Sequence, residues 1–253
     1  MMRNELAERI DRDDLDAAIT FLALIVVLLV LPNENLDALF GVNPQRVWSV
    51  VVFVAGLSFF GYLLSRVVDP TTAIGVTAAV GGCVSPGLTI TSLTEQVRRY
   101  PAFSRIYAFA AAIAVTMLFP RNLLVVGIVS PSLARSVALP FVAMAGVGGA
   151  VTGLLWIRIE RHERPAGELE TPFRLRSAFA IGAVVAGIVL VIETVQPSIP
   201  SDVTRLGLVL LTIAEQVVYV GVTRAAGART IALAIGAILL GSASLGIALV
   251  LLL

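Results

Sequence analysis

The chain has 253 residues, of which 58% are hydrophobic and only 14% charged, with a mean hydropathy of +0.95 and a formal charge of +1. A soluble domain is roughly half apolar and about a quarter charged, so this chain carries more apolar surface than an interior of its size can hide, and the excess must face lipid. The same figures exclude disordered, collagen-like and disulfide-rich classes; the near-neutral charge offers nucleic acid no basic face, and the single cysteine, Cys83, excludes an intrachain disulfide.

In chain order, residues 1–16 form a polar lead-in: Arg3, Arg9 and Arg12 stand against six acidic residues, the wrong n-region for a signal peptide. Residues 17–253 then read as one transmembrane domain. A bilayer core of about 30 Å needs about 20 apolar residues per helix, and eight stretches approach or meet this: 17–32, 47–68, 72–94, 105–130, 134–157, 177–195, 204–224 and 230–253. The first is the weakest, with sixteen residues between Asp16 and Asn33. The longest connection, Arg158 to Arg176, holds His162 and Pro165 and reads as a solvated loop. The expected fold is therefore an all-α, polytopic helix bundle of about eight spans, with seven as the alternative.

Arginine bias gives orientation. With eight spans, eleven arginines fall on one side and six on the other, and Arg121 lies within a span. The arginine-rich loops are expected in the cytoplasm, with the chain in the cell membrane. If residues 17–32 do not cross, the bias becomes 14 against 3, which favours seven spans.

Helices in lipid associate through small residues that let backbones approach. Gly149-xxx-Gly153, Ala178-xxx-Gly182, Ala183-xxx-Gly187, Ala237-xxx-Gly241 and Ser242-xxx-Gly246 mark such faces. They are expected to pack within the bundle, with a homo-oligomer seam as the other use. Spans three and seven, and four and eight, align loosely. An offset of four spans would give two four-helix repeats in the same orientation.

Hydrophilic groups at membrane depth are costly and usually face a bundle interior or cavity. Arg121 follows Pro120 inside span four, and Glu215 with Gln216 sits mid-span seven; Glu193, near the end of span six, reads as snorkelling to the interface. Arg121 and Glu215 are expected to lie close and neutralise each other, either as a helix-positioning pair or as part of a polar path. Span three contains Gly81, Gly82, Ser85, Pro86, Gly87, Thr89, Thr91 and Ser92. Pro86 frees the carbonyl of Gly82, and broken helices of this kind form ion and substrate sites in transporters. The alternative is a packing kink whose hydroxyls bond their own helix. Ser85, Pro86, Thr89, Thr91, Ser92, Arg121, Glu215 and Gln216 are thus the candidate polar-path or substrate-binding residues. One loop histidine, two embedded carboxylates at most and no lysine leave no expected metal site, cofactor or catalytic set.

Several stretches carry a resemblance: Asp13-Asp14-Leu15 into Ala18-Ile19-Thr20-Phe21, Val30-Leu31-Pro32, Val42-Asn43-Pro44 before Trp48, Gly56 to Tyr62, Gly81 to Ser92, Met117 to Arg121, and Thr171-Pro172-Phe173 with Ser177-Ala178. With these the chain resembles the uncharacterised membrane domain that forms the C-terminal half of many MgtC/SapB-type proteins, best over 12–195. The resemblance implies a hydrophobic span at 17–32, hence eight, and a loose association with magnesium or other ion homeostasis. The chain departs from the pattern where Ser85-Pro86-Gly87 replaces two serines and a threonine, and where Ala214-Glu215-Gln216 replaces an Asp-x-Asp. An Asn and a Lys of the last span give way to small or apolar residues near Ala243 and Ile247. It reads as a stand-alone, divergent copy.

Two functions follow as expectations. One is a transporter-like or channel-like protein for a small ion or solute. The other is a non-transporting subunit docked on a separate MgtC-like membrane protein. An enzyme is not expected.

Overall fold

A computed structural model describes residues 12–35, 43–65, 70–159 and 201–252. The sixth expected span, 177–195, lies outside them, as do Glu193, most of the loop after Arg158, the 178–187 small-residue pairs and thus one of the four spans in the second half of the expected repeat. Among the described residues the regular structure is helical: α1 (Arg12–Val30), α2 (Pro44–Ser65), α3 (Pro70–Val84), α4 (Pro86–Arg99), a 3-10 turn (Pro101–Phe103), α5 (Ser104–Thr116), α6 (Leu118–Val129), α7 (Pro131–Ile157), α8 (Ser201–Ala225) and α9 (Arg229–Leu252).

Among the described residues four stretches are long and apolar enough to cross a membrane: Pro101–Val129, Pro131–Ile157, Asp202–Ala225 and Arg229–Leu252. The apolar parts of α1 and α3, Ala18–Val30 and Ile74–Val84, are shorter. The outer surface is apolar. Leu15, Ile19, Leu22, Val26 and Leu29 line the exposed face of α1, and Leu210, Leu211, Val217 and Val218 that of α8. Such a surface is at home in lipid and not in water.

At the centre lies α5. Its Ala108, Ala110, Ala111, Ala112 and Ala114 are buried, and it packs against α3, α4, α6, α7 and α9. Alanine favours helix and leaves only a methyl between neighbouring axes. A helix apolar on every side belongs inside. At Gly82 an added Cβ would lie 2.4 Å from the carbonyl oxygen and 2.6 Å from the Cα of Ala114, so the α3 backbone rests directly on α5. Gly148 of α7 receives the Thr116 side chain, with an added Cβ 2.5 Å from its Oγ1, while Gly241 and Gly246 of α9 receive Val147 and Met144 of α7. On α9, Gly241 and the Ser242-xxx-Gly246 pair therefore pack as expected, while Ala237 is exposed. The Gly149-xxx-Gly153 pair does not pack within the described bundle: both glycines are exposed and face open space.

Peripheral helices attach through side-chain to backbone bonds. Trp48 Nε1 donates to the Leu24 carbonyl at 3.0 Å, Gln45 Nε2 donates to Leu28, and Phe21 stacks on Phe59 at 5.1 Å. These contacts hold α1 against α2. Pro131 starts α7 one residue after α6 ends, a position where its missing N–H costs nothing. Gly227, at φ 82, closes α8: Ala228 N–H donates to Thr223 and Gly227 N–H to Arg224. This is a Schellman cap, which needs a residue tolerant of positive φ, and it returns the chain directly into α9.

Two expected spans are each divided: 105–130 passes from α5 to α6 at Met117, where the backbone stays helical, and 72–94 is broken outright. The stretch 72–94 breaks at Ser85, whose φ of −150° and ψ of 86° are not helical, because Pro86 cannot donate to Gly82. The second piece, α4, is amphipathic. Thr89, Ile90, Leu93, Thr94 and Val97 are buried, while Glu95, Arg98 and Arg99 are exposed.

The packing predicts a contrast between two glycine substitutions. Gly82→Ala must push backbone apart and should destabilise by about 1–3 kcal/mol. Gly149→Ala meets nothing within 4 Å and should change stability by less than about 0.5 kcal/mol. Unfolding of the purified variants in detergent measures both.

Candidate functional site

The site is built where two interrupted helices meet. In the first, α3 ends and α4 begins at Ser85. Gly81 lets the first turn of α4 fold back, since an added Cβ there would lie 2.4 Å from Thr89 Oγ1. In the second, α5 passes into α6 at Met117, and Pro120 removes the donor that the Thr116 carbonyl would use. The next residue is Arg121. It is half-buried, and its Nε is fully buried with no hydrogen-bond partner. Its charge acts on two groups from other helices, the Cys83 thiol at the end of α3 and the Tyr219 hydroxyl of α8.

Tyr219 connects the parts. Its hydroxyl donates to Glu215 Oε1 at 2.7 Å, one turn earlier on α8. Its ring packs on Gly87, with Cε1 3.7 Å from where a Cβ would stand. Cys83, Gly87, Arg121, Tyr219 and Glu215 thus share one neighbourhood around the α3–α4 break. The direct ion pair expected between Arg121 and Glu215 is not formed. Glu215 is bonded to Tyr219, and among the described residues no salt bridge joins it to Arg121.

Gln216 belongs to a different set. It is fully buried, its Nε2 donates to the Thr212 carbonyl at 3.3 Å, and its Oε1 accepts from Ser242 Oγ at 3.2 Å. Thr212 Oγ1 accepts from Asn122 Nδ2 at 3.1 Å and donates to the Leu208 carbonyl. This ladder ties α6, α8 and α9 together, so Gln216 is engaged in holding helices.

The hydroxyls of α4 are engaged locally. Thr89 Oγ1 donates to the Ser85 carbonyl, and Thr91 Oγ1 reaches the carbonyls of Gly87 and Leu88, all at 3.0 Å. Thr91 is exposed and lines a groove between α4 and α8 with Thr94, Glu95 and Arg98, away from Arg121. Ser85 and Ser92 are half-buried and Pro86 is buried. Of the eight expected residues, the structure gathers Ser85, Pro86, Thr89, Arg121 and Glu215 about the break, while Thr91, Ser92 and Gln216 stand apart from it. Sequence reasoning missed Tyr219, Cys83, Asn122, Thr212 and Ser242. The run Thr212, Glu215, Gln216, Tyr219 at spacings of three and four does place a hydrophilic stripe on one side of α8, and that signal was available.

In comparison with known proteins, residues 52–244 match the family model described as a domain of unknown function (DUF4010). No curated protein and no solved structure matches the chain.

The ladder predicts its own energetics. A double-mutant cycle with Gln216→Leu and Ser242→Ala should give a coupling of about 0.6 kcal/mol, the average for interhelical hydrogen bonds in a membrane. Unfolding of the four proteins in detergent measures it, and a coupling near zero would remove the bond's part in holding α8 to α9.

Proposed function

Starting from a chain that belongs to the DUF4010 family, we propose that it is a transporter-like or channel-like membrane protein for a small ion or solute, and not an enzyme. The observation that carries this reading is the buried, unpartnered Nε of Arg121, on the proline-kinked turn between α5 and α6, near the broken joint of α3 and α4. A guanidinium at depth is costly unless it faces a partner or a cavity. Broken helices present free first-turn amides and carbonyls there, the pattern transporters use for charged groups. Arg121 and the first turn of α4 form the positive side of the path, and Glu215, held by Tyr219, forms the negative side.

Eight spans in the cell membrane, arginine-rich end inward, remain part of this reading. Its support is the gathering of arginines at one end of the bundle: Arg98, Arg99 and Arg105 around the α4–α5 turn, Arg158 at the end of α7, and Arg224 with Arg229 at the α8–α9 hairpin. The resemblance to the C-terminal domain of MgtC/SapB-type proteins supports a second reading, a non-transporting subunit on a separate MgtC-like protein. The exposed Gly149 and Gly153 leave a face of α7 open to such a helix.

Proteoliposome currents under KCl and MgCl2 gradients test the first reading. Wild type should conduct above empty liposomes. Arg121→Gln and Glu215→Gln should fall to the empty-liposome level, and Thr91→Ala should retain the current. Currents unchanged by the first two substitutions, or none in the wild type, would reject transport through this site. Absent currents with co-purification of an MgtC-like membrane protein would favour the subunit.

A further inference from the structure

A groove of about 650 Å³ opens between the arginine-rich ends of α5, α7 and α9. Ligand sites commonly have volumes of about 300–1,000 Å³. Its walls are apolar, with Leu154 (59% exposed) and Leu233 (69% exposed) beside Ala237. Its head is charged. Arg105 and Arg158 both line it, both are exposed, and neither has an ion-pair or hydrogen-bond partner among the described residues. Thr230 is on the same wall, and its buried hydroxyl has no partner.

The backbone adds to this charge. Arg105 is the second residue of α5 and Thr230 the second residue of α9. Two helix N-termini therefore border the groove, and neither has an acidic residue in its first turn. First-turn amides and the helix dipole favour an anion at such a place. Two unpaired arginines and two N-termini above an apolar trough match one kind of molecule, with a phosphate at one end and an acyl chain at the other.

We infer that this groove binds an anionic phospholipid, its phosphate between Arg105 and Arg158 and an acyl chain along Leu154 and Leu233. Basic pockets between transmembrane helices recognise such headgroups through the same forces. The site lies at the arginine-bearing helix ends, separate from the Arg121 neighbourhood, and does not depend on what the protein conducts.

The test is lipid binding to the full chain in a neutral detergent, read by native mass spectrometry and by thermal stability. Dioleoyl phosphatidylglycerol should bind about tenfold more tightly than dioleoyl phosphatidylcholine, the order expected from two basic side chains facing an anionic headgroup. Arg105→Gln with Arg158→Gln should abolish that preference. Leu233→Trp, at an exposed position, should obstruct the trough and weaken phosphatidylglycerol binding, and it keeps the test open if the double variant fails to fold. Equal binding of the two lipids, a preference that survives the double arginine change, or phosphatidylglycerol binding undiminished by Leu233→Trp, would overturn the proposal. So would inorganic phosphate alone reproducing the same arginine-dependent stabilisation, since the site would then hold a free anion and not a lipid.

Discussion

At Gly82 the backbone of α3 lies on the backbone of α5, and at Gly148 α7 closes on the same helix from another side, against Thr116. Between helices in lipid there is no hydrophobic driving force to rely on, because acyl tails are as apolar as leucine. Cohesion comes from dispersion at short range and from hydrogen bonds, and both fall off steeply with separation. The alanines of α5 and the glycines facing it keep the separations short. Everything nearer the site inherits its position from this contact.

The two breaks follow from it. Because Gly82 is pinned to Ala114, the end of α3 and the joint at Ser85 stand beside the C-terminal half of α5, and Arg121 leaves the next turn of the same rod. The α8–α9 hairpin, closed by Gly227, then brings Tyr219, with Glu215 bonded to it, against the first turn of α4. The ladder from Asn122 through Thr212 and Gln216 to Ser242 fixes how α8 is rotated, so Glu215 takes the position next to it. Polar groups that tie helices together and polar groups that do not thus stand side by side on a single helix. Gln216 holds, and Glu215 is left half-buried with its tyrosine.

Much of this was legible in the sequence, for reasons of energy. Spans are readable because lipid imposes a long apolar run, and the ends of α7, α8 and α9 fall within a few residues of expectation. The break in span three was readable because Pro86 lacks a donor. The partition of polar residues was not. Thr89 and Thr91 were expected in a path and instead bond their own helix, a choice made by rotamer and local geometry. The Arg121–Glu215 pair failed because a nearer partner, Tyr219, sits one turn along α8. Gly149 and Gly153 have the spacing of a packing face, yet among the described residues it is the neighbouring Gly148 that meets a helix. Spacing along one helix states which residues share a face, and it does not state which face a second helix covers.

The central claim is that α5 is the axis on which the broken helices are assembled. Thr116, at its end, and Thr152 of α7 bring their hydroxyl oxygens to 3.5 Å. In a Cys83→Ala background, Thr116→Cys with Thr152→Cys should form an intramolecular disulfide on mild oxidation in native membranes, identified by mass spectrometry of the linked peptides. Thr116→Cys with Gly149→Cys, which points into open space, should not. Failure of the first pair to link, or equal linking of both, would contradict the arrangement around α5.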